Sequence, residues 1–233
     1  MFEFRNFPQA FERKALASIK SQRLIIGLGT GRCGTTSLAQ LLSRQSNTTA
    51  THEYYGNRHT WIVSNGQTKR MIAGLIHNTN NNIVADVSFA WLNYVEQIQR
   101  LHPATRFICL IRPREEFIKS YLKLMRGRNN LLTWRENMGF SQASLYGYEH
   151  CLPKYDHLRG HPDEFIFGYF YDQYYEYARA LEHSLSSFSI FPTDALNSEE
   201  GVAGILGHCG YHESIRAKII GIRANTSPCH FQS

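Results

Sequence analysis

The sequence lacks an apolar run long enough to cross a membrane and lacks the cysteine spacing of a metal site. A membrane-spanning helix needs about 18 uncharged apolar residues in a row, and no stretch of the 233 residues reaches that length. An odd number of cysteines without a C-x-x-C pair favours free thiols over a disulfide scaffold. The five are Cys33, Cys109, Cys151, Cys209 and Cys229. These absences exclude a helical membrane protein and a disulfide-rich or zinc-ribbon scaffold.

Signals that would divide or export the chain are also missing. Charged side chains interrupt the first twenty residues, so they have no continuous apolar core of the kind a signal peptide needs, and we expect a cytoplasmic protein. No repeat or linker is visible, and we expect one domain over residues 1–233. The formal net charge of +6 suits an anionic ligand. The basic residues are scattered without a recognition module, so we expect no nucleic-acid partner.

A glycine-rich loop between an apolar run and a helical pattern is the most informative feature of the chain. Leu24–Leu28 predicts a buried strand, and the pattern over Thr35–Ser43 predicts a helix. Gly29, Gly31 and Gly34 lie between them and allow backbone N–H groups to converge on one anion. The start of the helix adds about half a positive charge there. The segment 29–36, called the glycine loop below, is therefore predicted to bind phosphate.

The glycine loop lacks the lysine that nucleoside-triphosphate sites carry. Gly29 to Thr36 nearly fits G-x-x-x-x-G-K-[ST], but Thr35 occupies the lysine position, and the one cation of the loop is Arg32. A nucleotide or nucleoside kinase would need Mg²⁺ and normally that lysine, so it is kept as an alternative. A nucleotide-binding protein without catalysis is a second alternative. A positive field in the loop would lower the pKa of Cys33.

A second segment repeats the order of strand, turn and helix. An apolar run at Phe107–Ile111 precedes a turn at Pro113 and a helical pattern over Glu115–Met125. Arg112 follows the strand, and Ser120 lies eight residues later in the helix. A guanidinium binds a phosphate dianion with two parallel N–H groups, and a hydroxyl adds a further donor. The segment therefore predicts a second phosphate contact.

Together the two segments resemble the donor site of the sulfotransferase family, whose donor is 3′-phosphoadenosine 5′-phosphosulfate (PAPS). The resemblance implies that the glycine loop holds the 5′-phosphosulfate, while the second segment holds the 3′-phosphate. It assigns to the donor Thr30, Gly31, Arg32, Cys33, Gly34, Thr35, Thr36, Arg112 and Ser120. It also implies PAP as a product and no metal. The chain looks closer to carbohydrate-type and bacterial members, which implies an acceptor hydroxyl on a sugar or glycolipid.

Apolar strands alternate with helical patterns along the rest of the chain. Further strands are predicted at Ile83–Val87 and Phe188–Phe191, with a weaker one at Thr48–Tyr55. The further helices are predicted over Lys69–His77, Trp91–Leu101, Glu164–Leu185 and Ser198–His208. This alternation predicts a three-layer α/β fold, a central parallel sheet of about five strands with helices on both faces. The resemblance makes it P-loop-like. The pattern weakens over residues 127–163, where we expect an insertion on the acceptor side.

Three residues are candidates for the base that removes the acceptor proton. Glu53 follows the weaker strand, where the resemblance to carbohydrate-modifying and tyrosylprotein sulfotransferases implies a catalytic glutamate. Asp86 lies at the end of another strand, at the edge where ligands bind. His52 is the third candidate, and in a regular strand it points away from the face that Glu53 occupies. We rank Glu53 first, Asp86 second and His52 third, with Arg32 expected to stabilise charge on the leaving phosphate.

Overall fold

A five-stranded parallel sheet forms the centre of the fold. The computed structural model describes residues 22–55, 65–77, 79–126, 156–158 and 160–212. The strands are β1 (Arg23–Leu28), β2 (Thr48–His52), β3 (Ile83–Val87), β4 (Arg106–Ile111) and β5 (Phe188–Pro192). They lie in the order β2-β3-β1-β4-β5, and every neighbouring pair is parallel. The predicted sheet is confirmed, and four of its strands agree with the predicted bounds to within one residue.

Helices cover both faces of the sheet. They are α1 (Thr35–Ser43), α2 (Asn65–His77), α3 (Val95–Leu101), α4 (Arg114–Arg126), α5 (Asp163–Ser184) and α6 (Glu199–His208). Successive residues of a strand point to opposite faces. Leu24 and Ile26 of β1 therefore join the core beneath α2, α3, α4 and α5, whereas Ile25 joins the core beneath α1 and α6. The three-layer arrangement expected from the sequence is confirmed.

The helix predicted over Trp91–Leu101 is only half α-helical. A 3₁₀ helix at Phe89–Tyr94 precedes α3, and the Ser88 hydroxyl caps it by accepting the amide of Ala90 at 3.3 Å. The indole N–H of Trp91 donates to the carboxylate of Asp86 at 2.6 Å. These two contacts hold the tighter first turn against the sheet. Over a single turn, the apolar pattern alone does not distinguish a 3₁₀ helix, with i+3 hydrogen bonds, from an α-helix, with i+4 hydrogen bonds.

Most of the predicted acceptor-side insertion lies outside the described residues. Within 127–163, the structure describes a 3₁₀ helix at Asp156–Leu158, residues 160–162 and the first residue of α5. The acceptor role of this segment stays a prediction. Across the described ranges, no helix combines the length and apolar character that a membrane crossing requires.

Gly27 gives a direct test of the packing around β1. A Cβ atom at this position would lie 2.7 and 2.8 Å from the two Cγ atoms of Val87 and 3.0 Å from Leu38. Because a well-packed core does not absorb an extra methyl group, Gly27→Ala should lower the free energy of unfolding by about 1–3 kcal/mol. Urea denaturation monitored by circular dichroism measures this difference.

Gly66 in α2 is the matched control, because a Cβ atom there has no neighbour within 4 Å. Gly66→Ala should leave the free energy of unfolding unchanged or raise it by up to about 1 kcal/mol. If both variants have wild-type stability, the close approach of β1 and β3 described here is incorrect.

Candidate functional site

The glycine loop passes through four residues with positive φ. Gly29 has φ 144°, Gly31 has φ 78° and Gly34 has φ 90°. Arg32, with φ 54°, is left-handed without being glycine, which costs about 1–2 kcal/mol for a residue with a Cβ atom. Successive turns of this kind bring backbone N–H groups together in a concave arrangement that suits an anion.

Helix α1 begins without a side-chain cap. Its N-cap is Gly34, which has no side chain to accept a hydrogen bond, and no acidic residue lies in the first turn. By contrast, the hydroxyl of Ser198 caps α6 by accepting from the amide of Gly201. The first amides of a helix have no intrahelical acceptor and carry the positive end of the helix dipole. The start of α1 therefore favours a bound anion at the glycine loop.

The two predicted phosphate-binding segments meet in the structure. The Nε of Arg32, in the glycine loop, donates to the Ser120 hydroxyl of α4 at 3.2 Å. The Nη1 of Arg112, just after β4, donates to the carbonyl oxygen of Arg32 at 3.2 Å. Arg112 also forms an ion pair with Glu116 at 3.0 Å and is partly exposed. Two guanidinium groups and a hydroxyl thus lie at one end of the sheet.

His52, the last residue of β2, contacts two of the three hydroxyls of the glycine loop. Its Nε2 lies 3.1 Å from the Oγ1 of Thr35 and 3.4 Å from the Oγ1 of Thr36. Burial lowers the pKa of His52, so the imidazole is neutral at pH 7. A neutral ring nitrogen can accept a hydrogen bond from one of the two hydroxyls. Thr35, which occupies the lysine position of nucleoside-triphosphate loops, is therefore within hydrogen-bond distance of a histidine here.

Glu53 follows His52 in a left-handed turn, with φ 53°. Its amide donates to the carbonyl oxygen of Val87 at 3.0 Å, and its side chain is half-buried. Burial raises the pKa of Tyr121, and the Glu53 carboxylate raises it further, so the two side chains lie near each other. The turn ends the regular strand at His52. The expectation that His52 and Glu53 point to opposite faces applies to a regular strand, and Glu53 lies beyond the end of β2. Which of the two faces the site stays a prediction.

Asp86 lies beneath the site and is fully buried. Its Oδ1 accepts from the Thr51 hydroxyl at 2.7 Å and from the Tyr54 amide at 3.1 Å. Its Oδ2 accepts from the Trp91 indole at 2.6 Å. Burial raises the pKa of this carboxyl group. Its role as a base stays a prediction, but a base has to reach the proton of an acceptor, and the geometry favours a positioning role.

Two side chains of the glycine loop face the interior. The Cys33 side chain is fully buried, and burial raises its pKa to about 11. The expected lowering of this pKa was wrong, because desolvation outweighs the positive field of the loop. The Thr30 side chain is equally buried, and its hydroxyl lies 3.3 Å from the Tyr175 hydroxyl. Both residues can contribute to anion binding only through their backbone.

Thr193, which follows β5, supports the loop and was not predicted. Its hydroxyl lies 2.8 Å from the carbonyl oxygen of Cys33 and 3.2 Å from that of Ile111. It therefore ties the glycine loop to the end of β4. The one signal in the sequence was its place at the carboxyl end of a predicted strand, where ligand sites form. Within the described ranges, no group of three or more histidine, cysteine or acidic residues could hold a metal ion.

Comparisons with known proteins point to one family. A family model described as a sulfotransferase domain matches residues 24–184. The fold is similar to that of a sulfotransferase crystal structure from Alicyclobacillus acidocaldarius, with a TM-score of 0.51 and 13% sequence identity over 85% of each chain. That structural likeness concerns the fold alone. No curated protein matches the sequence.

Asp86→Asn tests whether the buried carboxylate organises the end of β2. The amide nitrogen of asparagine would face one of the three donors, so the free energy of unfolding should fall by about 1–3 kcal/mol. The folded-state pKa of Asp86 is raised above 3.8, so the folded chain retains this proton longer than the unfolded chain does. Wild-type stability should therefore decrease as the pH rises from about 3.8 through the folded-state pKa.

Urea unfolding at several pH values measures both effects. The contribution of Asp86 to the pH dependence should be missing in Asp86→Asn. The control is Asp194→Asn, because Asp194 is exposed, and this change should leave stability within about 0.5 kcal/mol of wild type. Equal stability of Asp86→Asn and wild type would contradict the structural role.

Proposed function

The chain belongs to the sulfotransferase family, and we propose that it transfers a sulfuryl group from PAPS to an acceptor hydroxyl and releases PAP. The contact between Arg32 and Ser120, at 3.2 Å, carries this proposal. It joins the glycine loop to a helix 88 residues away. A donor with a phosphosulfate at one end and a 3′-phosphate at the other needs two anion-binding sets at one edge of the sheet.

The glycine loop is the proposed site of the phosphosulfate. The uncapped start of α1 and the Arg32 guanidinium stabilise negative charge that grows on the leaving phosphate. Thr35 and Thr36 supply hydroxyl donors beside these amides. Because the groups are fixed before the reaction, little free energy is spent on orienting them.

Arg112 and Ser120 are the proposed contacts of the 3′-phosphate. Arg112 is partly exposed and paired with Glu116 on the surface, and such surface pairs contribute little to stability. A phosphate dianion can therefore replace this pairing at small cost. Guanidinium geometry allows two N–H groups to bind one phosphate, which favours arginine over lysine here.

Glu53 is the proposed base. In the reaction, the acceptor oxygen forms a bond to sulfur, the bond from sulfur to the bridging phosphate oxygen breaks, and the acceptor proton passes to the base. The Glu53 carboxylate lies near Tyr121, whose hydroxyl donates to the carbonyl oxygen of Thr30 in the glycine loop at 3.0 Å. Its proximity to the loop supports this role. His52 is proposed to orient the hydroxyls of Thr35 and Thr36.

The proposed acceptor is a sugar or glycolipid hydroxyl. This part of the proposal comes from the resemblance to carbohydrate-type sulfotransferases. Tyr54, directly after Glu53, is 42% exposed, and its ring packs edge-on against the ring of Tyr55 with 4.9 Å between the ring centroids. An exposed aromatic ring beside the proposed base suits an acceptor with an apolar face.

Calorimetric binding of PAP tests the donor assignment. Wild type should bind PAP and bind Mg²⁺–ATP more weakly, because Thr35 replaces the lysine that ATP sites use. Arg112→Ala should bind PAP about 10–100-fold more weakly, since it loses charge-assisted hydrogen bonds to a phosphate.

Arg106→Ala is the matched control for that experiment. Arg106 begins the same strand that Arg112 follows, so it lies at the opposite edge of the sheet, and its side chain is exposed. Its replacement removes the same charge and should leave PAP affinity within about twofold of wild type. Tighter binding of Mg²⁺–ATP than of PAP would refute the PAPS assignment and favour a kinase. An unchanged PAP affinity in Arg112→Ala would do the same.

Glu53→Gln and His52→Asn separate the base from the residue that orients the loop hydroxyls. Glu53→Gln should lower kcat by about 10²–10⁴-fold with little change in the KM for PAPS. His52→Asn should mainly raise the KM for PAPS, because it disturbs Thr35 and Thr36. Release of PAP from PAPS is measured in water alone and with mixtures of sugars, phenols and alcohols.

Glu115→Gln controls for the loss of a carboxylate near the site. The Glu115 side chain is 74% exposed and pairs with Arg114, so both constants should stay at wild-type values. A larger loss of kcat in His52→Asn than in Glu53→Gln would transfer the role of base to His52.

A further inference from the structure

Tyr174 of α5 holds the start of the glycine loop on one side. Its hydroxyl accepts a hydrogen bond from the amide of Gly29 at 3.0 Å and donates to the carbonyl oxygen of Phe89 at 3.0 Å. The side chain is buried. One hydroxyl therefore links the first residue of the loop to the segment that follows β3.

Tyr175 holds the loop on the other side. Its hydroxyl donates to the carbonyl oxygen of Leu110, in β4, at 2.7 Å. The Thr30 hydroxyl lies 3.3 Å from the same oxygen. Because the proton of Tyr175 is directed at Leu110, the second contact uses the Thr30 proton, which Tyr175 shares with the carbonyl oxygen of Gly31 at 3.3 Å. The hydroxyl thus links the second residue of the loop to the strand that precedes Arg112.

The two tyrosines straddle the end of β1. Neighbouring residues of a helix point about 100° apart, because one turn contains 3.6 residues. In the sheet, β1 lies between β3 and β4. Tyr174 bonds to the carbonyl oxygen of Phe89, after β3, and Tyr175 bonds to that of Leu110, in β4. Helix α5 therefore connects the loop to the strands on both sides of β1.

These hydrogen bonds matter because the backbone of the loop adopts an unfavourable conformation. Arg32 is left-handed at φ 54°, and conformations of this kind persist only where the surroundings determine them. Tyr121 of α4 adds a third contact, donating to the carbonyl oxygen of Thr30 at 3.0 Å. Burial raises the pKa of both Tyr174 and Tyr175, so both hydroxyls stay protonated.

We propose that Tyr174 and Tyr175 are positioning residues for the donor, which fix Gly29 and Thr30 and thereby hold the anion-binding amides of residues 32–36 in place. The inference rests on the proposed function. Neither tyrosine is catalytic, because both hydroxyls are directed at backbone groups and not at the cleft. Their effect on the donor passes through the loop backbone.

Tyr174→Phe and Tyr175→Phe test this role, because each removes one hydroxyl and keeps the ring. Each variant should bind PAP about tenfold more weakly in calorimetry, the effect of one lost buried hydrogen bond. The KM for PAPS should rise by the same factor while kcat changes less than threefold, roughly the spread expected when chemistry is untouched. A purely structural role would lower the melting temperature and leave PAP affinity unchanged.

Tyr177→Phe is the matched control on the same helix. Tyr177 packs at the edge of the core, and its charged neighbours are Glu96 and Arg100 of α3, away from the loop. Its replacement should leave PAP affinity at the wild-type value. If Tyr174→Phe fails to fold because the amide of Gly29 loses its acceptor, Tyr175→Phe decides the question, since the Leu110 carbonyl tolerates the loss better.

The outcomes separate this inference from the proposed function. If wild type binds PAP and both folded variants bind it equally well, the positioning role is refuted and the donor assignment stands. If wild type does not bind PAP, the donor assignment is refuted, and the inference with it. Weaker binding in both tyrosine variants but not in Tyr177→Phe supports the inference.

Discussion

The glycine loop has to pass through four positive-φ residues while packed between the two cores of the sheet, and the geometry of the site depends on this constraint. Three of the four positions are glycine, which adopts such angles readily. The interior side of the loop is filled by Thr30 and Cys33. With these side chains turned inward, the Arg32 side chain is left for the open side, where the first turn of α1 also begins.

The proposed functional groups come from the ends of four of the five strands. The glycine loop follows β1, His52 and Glu53 end and follow β2, Arg112 follows β4, and Thr193 follows β5. In a parallel sheet these ends share one edge, so residues distant in sequence meet without long connections. The strand β3 contributes Asp86, which accepts a hydrogen bond from the Tyr54 amide at 3.1 Å and so stabilises the turn after β2. A buried carboxylate thus organises a segment that carries a proposed base.

The sequence predicted the fold and the meeting of the two segments proposed to bind phosphate, because apolar periodicity and glycine positions reflect local constraints. It predicted less about groups whose role depends on tertiary contacts. The left-handed turn at Glu53 gives no local signal, so the predicted strand Thr48–Tyr55 runs three residues beyond the observed end of β2 at His52. Asp86 ends a strand at the expected edge, but its three donors come from separate elements. In the sequence, Tyr174 and Tyr175 match the pattern of ordinary core residues of a helix. Their hydroxyl contacts depend on tertiary packing against the glycine loop, which the sequence pattern does not show.

The inward orientation of Cys33 has a consequence for the chemistry of oxidative stress. Oxidants such as hydrogen peroxide attack the thiolate form of cysteine, and a cysteine in an anion-binding loop is ordinarily a candidate for such attack. Here the thiol is fully buried, and its pKa is about 11, so it is almost entirely protonated at physiological pH. The loop can therefore contain a cysteine at its centre without making the proposed donor site sensitive to the redox state of the surroundings.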